Sequence, residues 1–193
     1  MDSFYALGLG YLLGSVPFGL ILTRLFNAGD LRQIGSGNIG ATNVLRTGRK
    51  GIAASTLLLD LGKGLLAVWL AWRWFPDFPG MAALGAVLGH CFPVWLKFKG
   101  GKGVATMMGV SVGLAWQLGL AYAAIWVVML AVTRISSLAG MTAAAAVPLV
   151  AWAIGRPELV PVLGAITLIV VFLHRANIAR LRAGTEPKIG SKG

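Results

Sequence analysis

The segment Gly35-Ser36-Gly37-Asn38-Ile39-Gly40-Ala41-Thr42-Asn43, closed by Arg46, Arg49 and Lys50, has the composition of an anion cradle. Glycines let a backbone turn its N–H groups inward, short Ser, Thr and Asn side chains add hydrogen bonds, and the cations supply charge. Ser36, Asn38, Thr42, Asn43 and Arg46 are all types that contact oxyanions, with Gly37 and Gly40 shaping the turn between them. The same glycines fit the dinucleotide pattern G-x-G-x-x-G, with Asp60 downstream. No strand-like run precedes them and Asp60 falls inside an apolar stretch, so the dinucleotide reading fails.

A second polar island is Lys97-Phe98-Lys99-Gly100-Gly101-Lys102-Gly103-Val104-Ala105-Thr106. It is only superficially a Walker A loop, because Gly103 follows Lys102 where Ser or Thr is needed and Leu96 stands where Gly is needed. Glycines around a lysine, opening straight into a helix, still offer backbone donors and a positive helix end to an anion. Lys102 is the main candidate, with Gly101, Gly103 and Thr106 beside it. A third island runs His174-Arg175-Ala176-Asn177-Ile178-Ala179-Arg180-Leu181, then Gly184 and Glu186. His174 and Asn177 at i and i+3 share one helix face, which Arg180 extends; Arg175 and Arg182 suit a snorkelling basic flank.

The remaining polar residues have simpler readings. Asp60 and Lys63, at i and i+3 within a span, are expected to be a structural ion pair. His90 fits a buried neutral residue, Cys91 a small apolar filler, and Arg73 between Trp72 and Trp74 an interface anchor. Ser136 and Ser137 open a helix after Arg134, where capping competes with ligand binding. The single cysteine excludes an intramolecular disulfide and most thiolate metal sites, so no metal is expected.

The elements that must hold these islands are membrane helices. Of 193 residues 57% are hydrophobic and 12% charged, about half the charge of a soluble domain, with a mean hydropathy of +0.79. Apolar runs lie at about 4–26, 51–75, 80–96, 104–133, 135–155 and 158–173. The first contains Gly14, Ser15 and Pro17 without a basic N-terminal flank, which predicts a retained span rather than a cleaved signal peptide. The net charge of +11 resides at span ends, in 27–50, 97–103 and the tail from 174 (Arg175, Arg180, Arg182, Lys188, Lys192), which points to membrane orientation and anionic ligands and not to nucleic acid. The N-terminus and the 76–80 connection carry only Asp2 and Asp77, so the N-terminus is expected outside and the basic segments in the cytoplasm.

Parity then sets the count. Six spans would place the basic tail outside, whereas 104–133 as one helix would be about 45 Å long against a hydrocarbon core of roughly 30 Å. Breaking it near Trp116-Gln117 gives seven helices and a cytoplasmic C-terminus; five spans plus a re-entrant piece is the alternative. The expectation is an all-α integral membrane protein with a single domain over 1–193. Glycines and alanines dense within the spans are expected to serve close helix packing.

Together the islands resemble the signature of the bacterial membrane-integral acyl-phosphate:glycerol-3-phosphate acyltransferase family. The similarity is carried by Gly14-Ser15-Val16-Pro17-Phe18-Gly19, Gly35 to Arg46, Phe98 to Thr106, and His174 to Glu186, and so covers essentially the whole chain. It implies transfer of an acyl group from acyl phosphate to the 1-hydroxyl of glycerol 3-phosphate, giving lysophosphatidic acid and phosphate in phospholipid synthesis. It also implies action at the cytoplasmic face of the inner membrane, no cofactor, and a functional link to an enzyme that makes acyl phosphate. Under it Ser36, Asn38, Lys102, His174 and Asn177 are the expected catalytic residues. Gly37, Gly40, Thr42, Asn43, Arg46, Gly101, Gly103, Thr106 and Ser137 are the expected substrate-binding ones.

The chemistry fits independently. The His-x-x-x-x-Asp dyad of many glycerolipid acyltransferases is missing, since Trp95 and Ala179 stand five residues past His90 and His174. Phosphate is already a good leaving group, and either His174 or the substrate's own phosphate is available as base. A transporter or channel for a phosphorylated metabolite would share the cationic patches, but its polar residues should line a path through the membrane. Nothing resembles the paired histidines or multiple aspartates of a lipid phosphatase.

Overall fold

A computed structural model describes residues 1–190 and contains helices and turns but no strands among them; Lys192 lies outside the described residues. The elements are α1 (Asp2–Gly14), α2 (Phe18–Leu25), α3 (Ala41–Leu45), α4 (Lys50–Trp74), α5 (Pro79–Cys91), α6 (Val104–Leu114), α7 (Trp116–Thr133), α8 (Ser136–Ala153), α9 (Val160–Leu173) and α10 (Arg175–Arg182), with short 3-10 turns at Val94–Leu96 and Pro157–Leu159. Among the described residues, five apolar segments are long enough to cross a membrane: α1 with α2, α4, α5 with its 3-10 turn, α7 and α8. The pair ending in α9 and α10 makes a sixth if counted as one, bent by 59°. With the shorter α6 these make seven apolar segments among the described residues, in line with about seven transmembrane or part-membrane helices.

The 104–133 run breaks one residue before the expected place. Ala115 is extended (φ −161°, ψ 130°) and separates α6 from α7. The halves are unequal: α6 has 11 residues, about 16 Å of helix, whereas α7 is a full span.

The first run is also interrupted. Pro17 lacks an N–H, and the chain breaks between α1 and α2. The carbonyls so exposed find donors from other elements, as the bilayer interior requires. Trp95 Nε1–H donates to Ser15 O at 2.9 Å and Lys63 Nζ donates to Val16 O at 2.8 Å.

Small residues bring the helices together. A Cβ on Gly10 or Gly14 of α1 would collide with the Ala82 or Ala86 carbonyl of α5, and one on Gly85 or Gly89 of α5 would collide with Leu7 or Tyr11 of α1. Gly64 of α4 and Gly109 of α6 make the same close approach to each other's helix. The core between α4, α5, α6, α8 and α9 is filled by Val68, Val87, Met107, Val110, Val147, Leu163, Ile166 and Val170. Phe4, Leu12, Trp69, Leu120, Val132, Leu149, Leu168 and Phe172 face outward, the inverse of a soluble surface and the side that lipid covers.

Candidate active site

The three polar islands, far apart in sequence, meet at one cavity of about 1010 Å³. The loop before α3, the N-terminus of α6, the first turn of α8 and the junction of α9 with α10 supply its polar wall. The middles of α4, α6 and α7 supply an apolar arm of Leu57, Met108, Ala123, Trp126 and Val127. Two arm residues, Leu57 and Val127, are 38% and 57% exposed on the lipid-facing surface, so the arm reaches the bilayer sideways.

The loop at 35–46 builds itself around Asn43. Its Nδ2 donates to the carbonyls of Leu31 (2.9 Å), Ile34 (3.0 Å) and Asn38 (2.8 Å), while its Oδ1 accepts the Ser36 N–H at 3.2 Å. Asn43 is 3% exposed. Asn43 lines the cavity as expected, but its amide N–H groups are committed to the loop's own carbonyls, which gives it a scaffolding role. The Gly40 N–H donates to Asn38 Oδ1 at 2.9 Å and the Gly37 N–H to Ile34 O at 2.9 Å. Hence less of this loop's backbone is open to an anion than expected, and the Ser36, Asn38, Thr42 and Arg46 side chains matter more. Gly35, at φ +54°, has the Arg46 guanidinium and Asn43 Oδ1 packed where a Cβ would sit.

The second island places Lys102 just before α6. Gly103 (φ +82°) takes the N-cap in a left-handed conformation, and Val87, Cys91 and Val170 close around it. Gly103, Val104 and Ala105 line the cavity, so the positive end of α6 faces it. Gly101, Gly37 and Thr106 do not line it. The Gly101 N–H donates to His90 O at 3.0 Å, and a Cβ at Gly101 would run into the His90 imidazole, leaving no room for a side chain. Gly37 (φ +67°) forms the turn after Ile34. Thr106 is fully buried, with its carbonyl and Cγ2 against Gly64 of α4 and its hydroxyl without a hydrogen-bond partner.

At the third island His174 Nδ1–H donates to Val170 O at 2.8 Å, which leaves Nε2 as an acceptor. Lys102 Nζ donates to Asn177 Oδ1, and Asn177 Nδ2 donates to Glu186 Oε1 at 2.5 Å. The same Oε1 accepts the Ser137 hydroxyl at 2.6 Å, and Oε2 accepts Arg180 Nε–H at 2.6 Å. Ser137 therefore links α8 to the C-terminal segment instead of capping its helix. Glu186, which the sequence offers only as part of a motif, is the hub of the network.

Charge follows this geometry. Burial, together with the cations Arg180, Arg46 and Arg175, brings Lys102 down to about 8 despite Glu186. For Glu186, burial opposes ionisation, but the Ser137, Asn177 and Arg180 donors prevail and hold the carboxyl below its ordinary value. Deeper, Asp60 Oδ1 lies 2.7 Å from Lys63 Nζ, the ion pair expected from the sequence, and 3.6 Å from His90 Nδ1. His90 is buried as expected, but its Nδ1 has no hydrogen-bond partner, and it lines the cavity together with Asp60. Among the described residues no cluster of His, Cys, Asp and Glu has metal-site geometry.

The chain is similar to known proteins over nearly its whole length. The family model for glycerol-3-phosphate acyltransferase matches residues 4–184. A glycerol-3-phosphate acyltransferase of Erythrobacter litoralis is 62% identical over all of this chain and 98% of its own length. One of Novosphingobium aromaticivorans is 65% identical with the same coverage. Two crystal structures of PlsY, described as an integral membrane glycerol 3-phosphate acyltransferase, superpose with TM-scores of 0.92 and 0.90 at 34% identity, covering 98% of this chain and 96% of that one. One is the glycerol 3-phosphate form and the other the lysophosphatidic acid form.

Proposed function

The chain belongs to the glycerol-3-phosphate acyltransferase family, and from that premise we propose that it moves a fatty acyl group from acyl phosphate to the 1-hydroxyl of glycerol 3-phosphate. The products are lysophosphatidic acid and inorganic phosphate, in bacterial phospholipid synthesis. One observation carries the reading: the cavity joins a cationic polar wall (Arg46, Lys102, the α6 N-terminus) to an apolar arm that opens toward lipid. A phosphate needs the first and an acyl chain the second, and both substrates carry phosphate. The glycerol 3-phosphate and lysophosphatidic acid forms of PlsY correspond to the acceptor and the acylated product of this reaction.

In this mechanism Ser36, Asn38, Thr42 and Arg46 hold one phosphate and stabilise the developing oxyanion. Lys102 and the α6 N-terminus hold the other, with Asn177 aiming Lys102 and His174 beside it. The acceptor hydroxyl oxygen attacks the acyl carbonyl carbon, the bond from that carbon to the phosphate oxygen breaks, and phosphate departs with the electron pair. The hydroxyl proton passes to a substrate phosphate oxygen, whose pKa near 6 makes it a base already in place. His174 keeps its Nδ1–H on Val170 and offers Nε2 as a hydrogen-bond acceptor to the other, non-attacking hydroxyl of glycerol 3-phosphate, so it helps bind the acceptor and takes no proton. This mechanism gives no protein residue a covalent role; Cys91, the one thiol of the chain, lies off the cavity wall.

The site faces the cytoplasm at the inner membrane, with the N-terminus outside. Supporting this, the basic segments 27–50, 97–103 and the tail from 174 all contribute to the cavity end, which positive-inside bias places in the cytoplasm. An enzyme that makes acyl phosphate is the expected functional partner.

Purified protein in detergent, with no second compartment, decides between transferase and transporter. Given acyl phosphate and glycerol 3-phosphate, it is expected to release phosphate one-to-one with lysophosphatidic acid and only when the acceptor is present. Release without acceptor, or no turnover, would overturn the proposal.

A further inference from the structure

After α10 the chain does not leave the protein. Gly184 (φ +68°) turns it, and Glu186, Pro187, Lys188, Ile189 and Gly190 run back along the cavity and form part of its wall. Glu186 is one anchor of this strap, on Ser137, Asn177 and Arg180. The other comes from the α7–α8 junction. Arg134 Nε–H and Nη2–H donate to Ile189 O at 3.2 and 2.9 Å, and the Arg134 carbonyl accepts the Ile189 N–H at 2.7 Å.

Arg134 is in the left-handed conformation (φ +61°) that ends α7, which glycine adopts with less strain. Its backbone alone does not explain an arginine there; the guanidinium's grip on Ile189 does. Arg134 does not line the cavity, so it reaches the site only through the strap.

We propose that Arg134 is a positioning residue of the transferase: it clasps residues 185–190 and so keeps Glu186 seated on Ser137, Asn177 and Arg180. Asn177 held in that way aims Lys102 at the phosphate of glycerol 3-phosphate, a step that rests on the function proposed above. Without the clasp the strap opens, and the seated form is a smaller share of the population. The apparent affinity for the acceptor falls by the same factor, while the step after binding is little changed.

Arg134→Gly separates this role from a helix cap, since glycine relieves the left-handed strain while removing the guanidinium. The expected result is unchanged or higher thermal stability, a KM for glycerol 3-phosphate raised about tenfold, and kcat within about twofold. Trypsin cleavage after Lys188, followed by mass spectrometry, is expected to speed up in proportion and to be slowed by glycerol 3-phosphate. An unchanged KM and unchanged cleavage would overturn the proposal. If Arg134→Gly loses stability, Ile189→Pro decides, because it deletes the N–H that the Arg134 carbonyl accepts: the same rise in KM supports the clasp, and none refutes it. If the wild type fails to use glycerol 3-phosphate, the proposed function fails separately. The clasp then stands or falls on Lys188 cleavage in Arg134→Gly.

Discussion

Lys102 gives the account a pH dependence with a defined sign. Burial and the neighbouring guanidinium groups bring its pKa from 10.5 down to about 8, so the free enzyme loses this charge as pH rises through that value. The protonated fraction falls from roughly 0.9 at about pH 7 to roughly 0.1 at about pH 9, and kcat/KM for glycerol 3-phosphate should drop about tenfold, with a limiting log–log slope of about −1. Bound phosphate favours the ammonium, so the alkaline limb of kcat should lie at higher pH than that of kcat/KM. The assay is phosphate release in detergent micelles at saturating acyl phosphate over about pH 6 to 10, with spontaneous hydrolysis subtracted at each pH. Lys102→Arg keeps a positive charge throughout, so its alkaline limb should vanish even though its absolute activity is lower. A flat wild-type profile, or a limb that survives in Lys102→Arg, would refute the assignment.

Three further outcomes are expected. Asp60→Asn leaves Lys63, 4% exposed, as an unpaired buried charge and should lower stability by about 3–5 kcal/mol, with Asp60→Asn/Lys63→Met recovering most of it in thermal unfolding; an unaffected single variant would contradict the buried pair. Gly85→Ala drives a methyl into the Leu7 carbonyl and should cost about 1–3 kcal/mol of stability, which an unchanged melting temperature would exclude. His174→Ala should raise KM while kcat stays near wild type; a kcat loss of about 10²–10⁴ would make His174 the base instead.

What the sequence disclosed and what it withheld divide along physical lines. Long apolar runs and a helix too long for the bilayer made the membrane fold and the break at Ala115 legible. Charge asymmetry and glycine-rich turns marked all three islands that line the cavity. Residue type alone could not tell a side chain that faces a ligand from one that folds a loop, which is why Asn43 reads as a ligand contact until its amide is seen bonded to Leu31, Ile34 and Asn38. Thr106 and Gly101 likewise sit in an island that carries chemistry but are held there by packing against Gly64 and His90. The hub role of Glu186 was hidden because it depends on the tail folding back over α8 and α10, a tertiary contact with no local pattern. Arg134 is hidden for the same reason, since its left-handed backbone and its partner Ile189 leave no periodicity in the sequence.

The most direct measurement of the central claim, a one-cavity transfer with no acylated protein residue, is isotope exchange. Purified protein is incubated with acyl phosphate and labelled inorganic phosphate, without glycerol 3-phosphate. Direct attack by the acceptor hydroxyl predicts no label in acyl phosphate, while the same preparation forms lysophosphatidic acid once the acceptor is added. Label entering acyl phosphate without acceptor would show an acylated protein intermediate and contradict the mechanism.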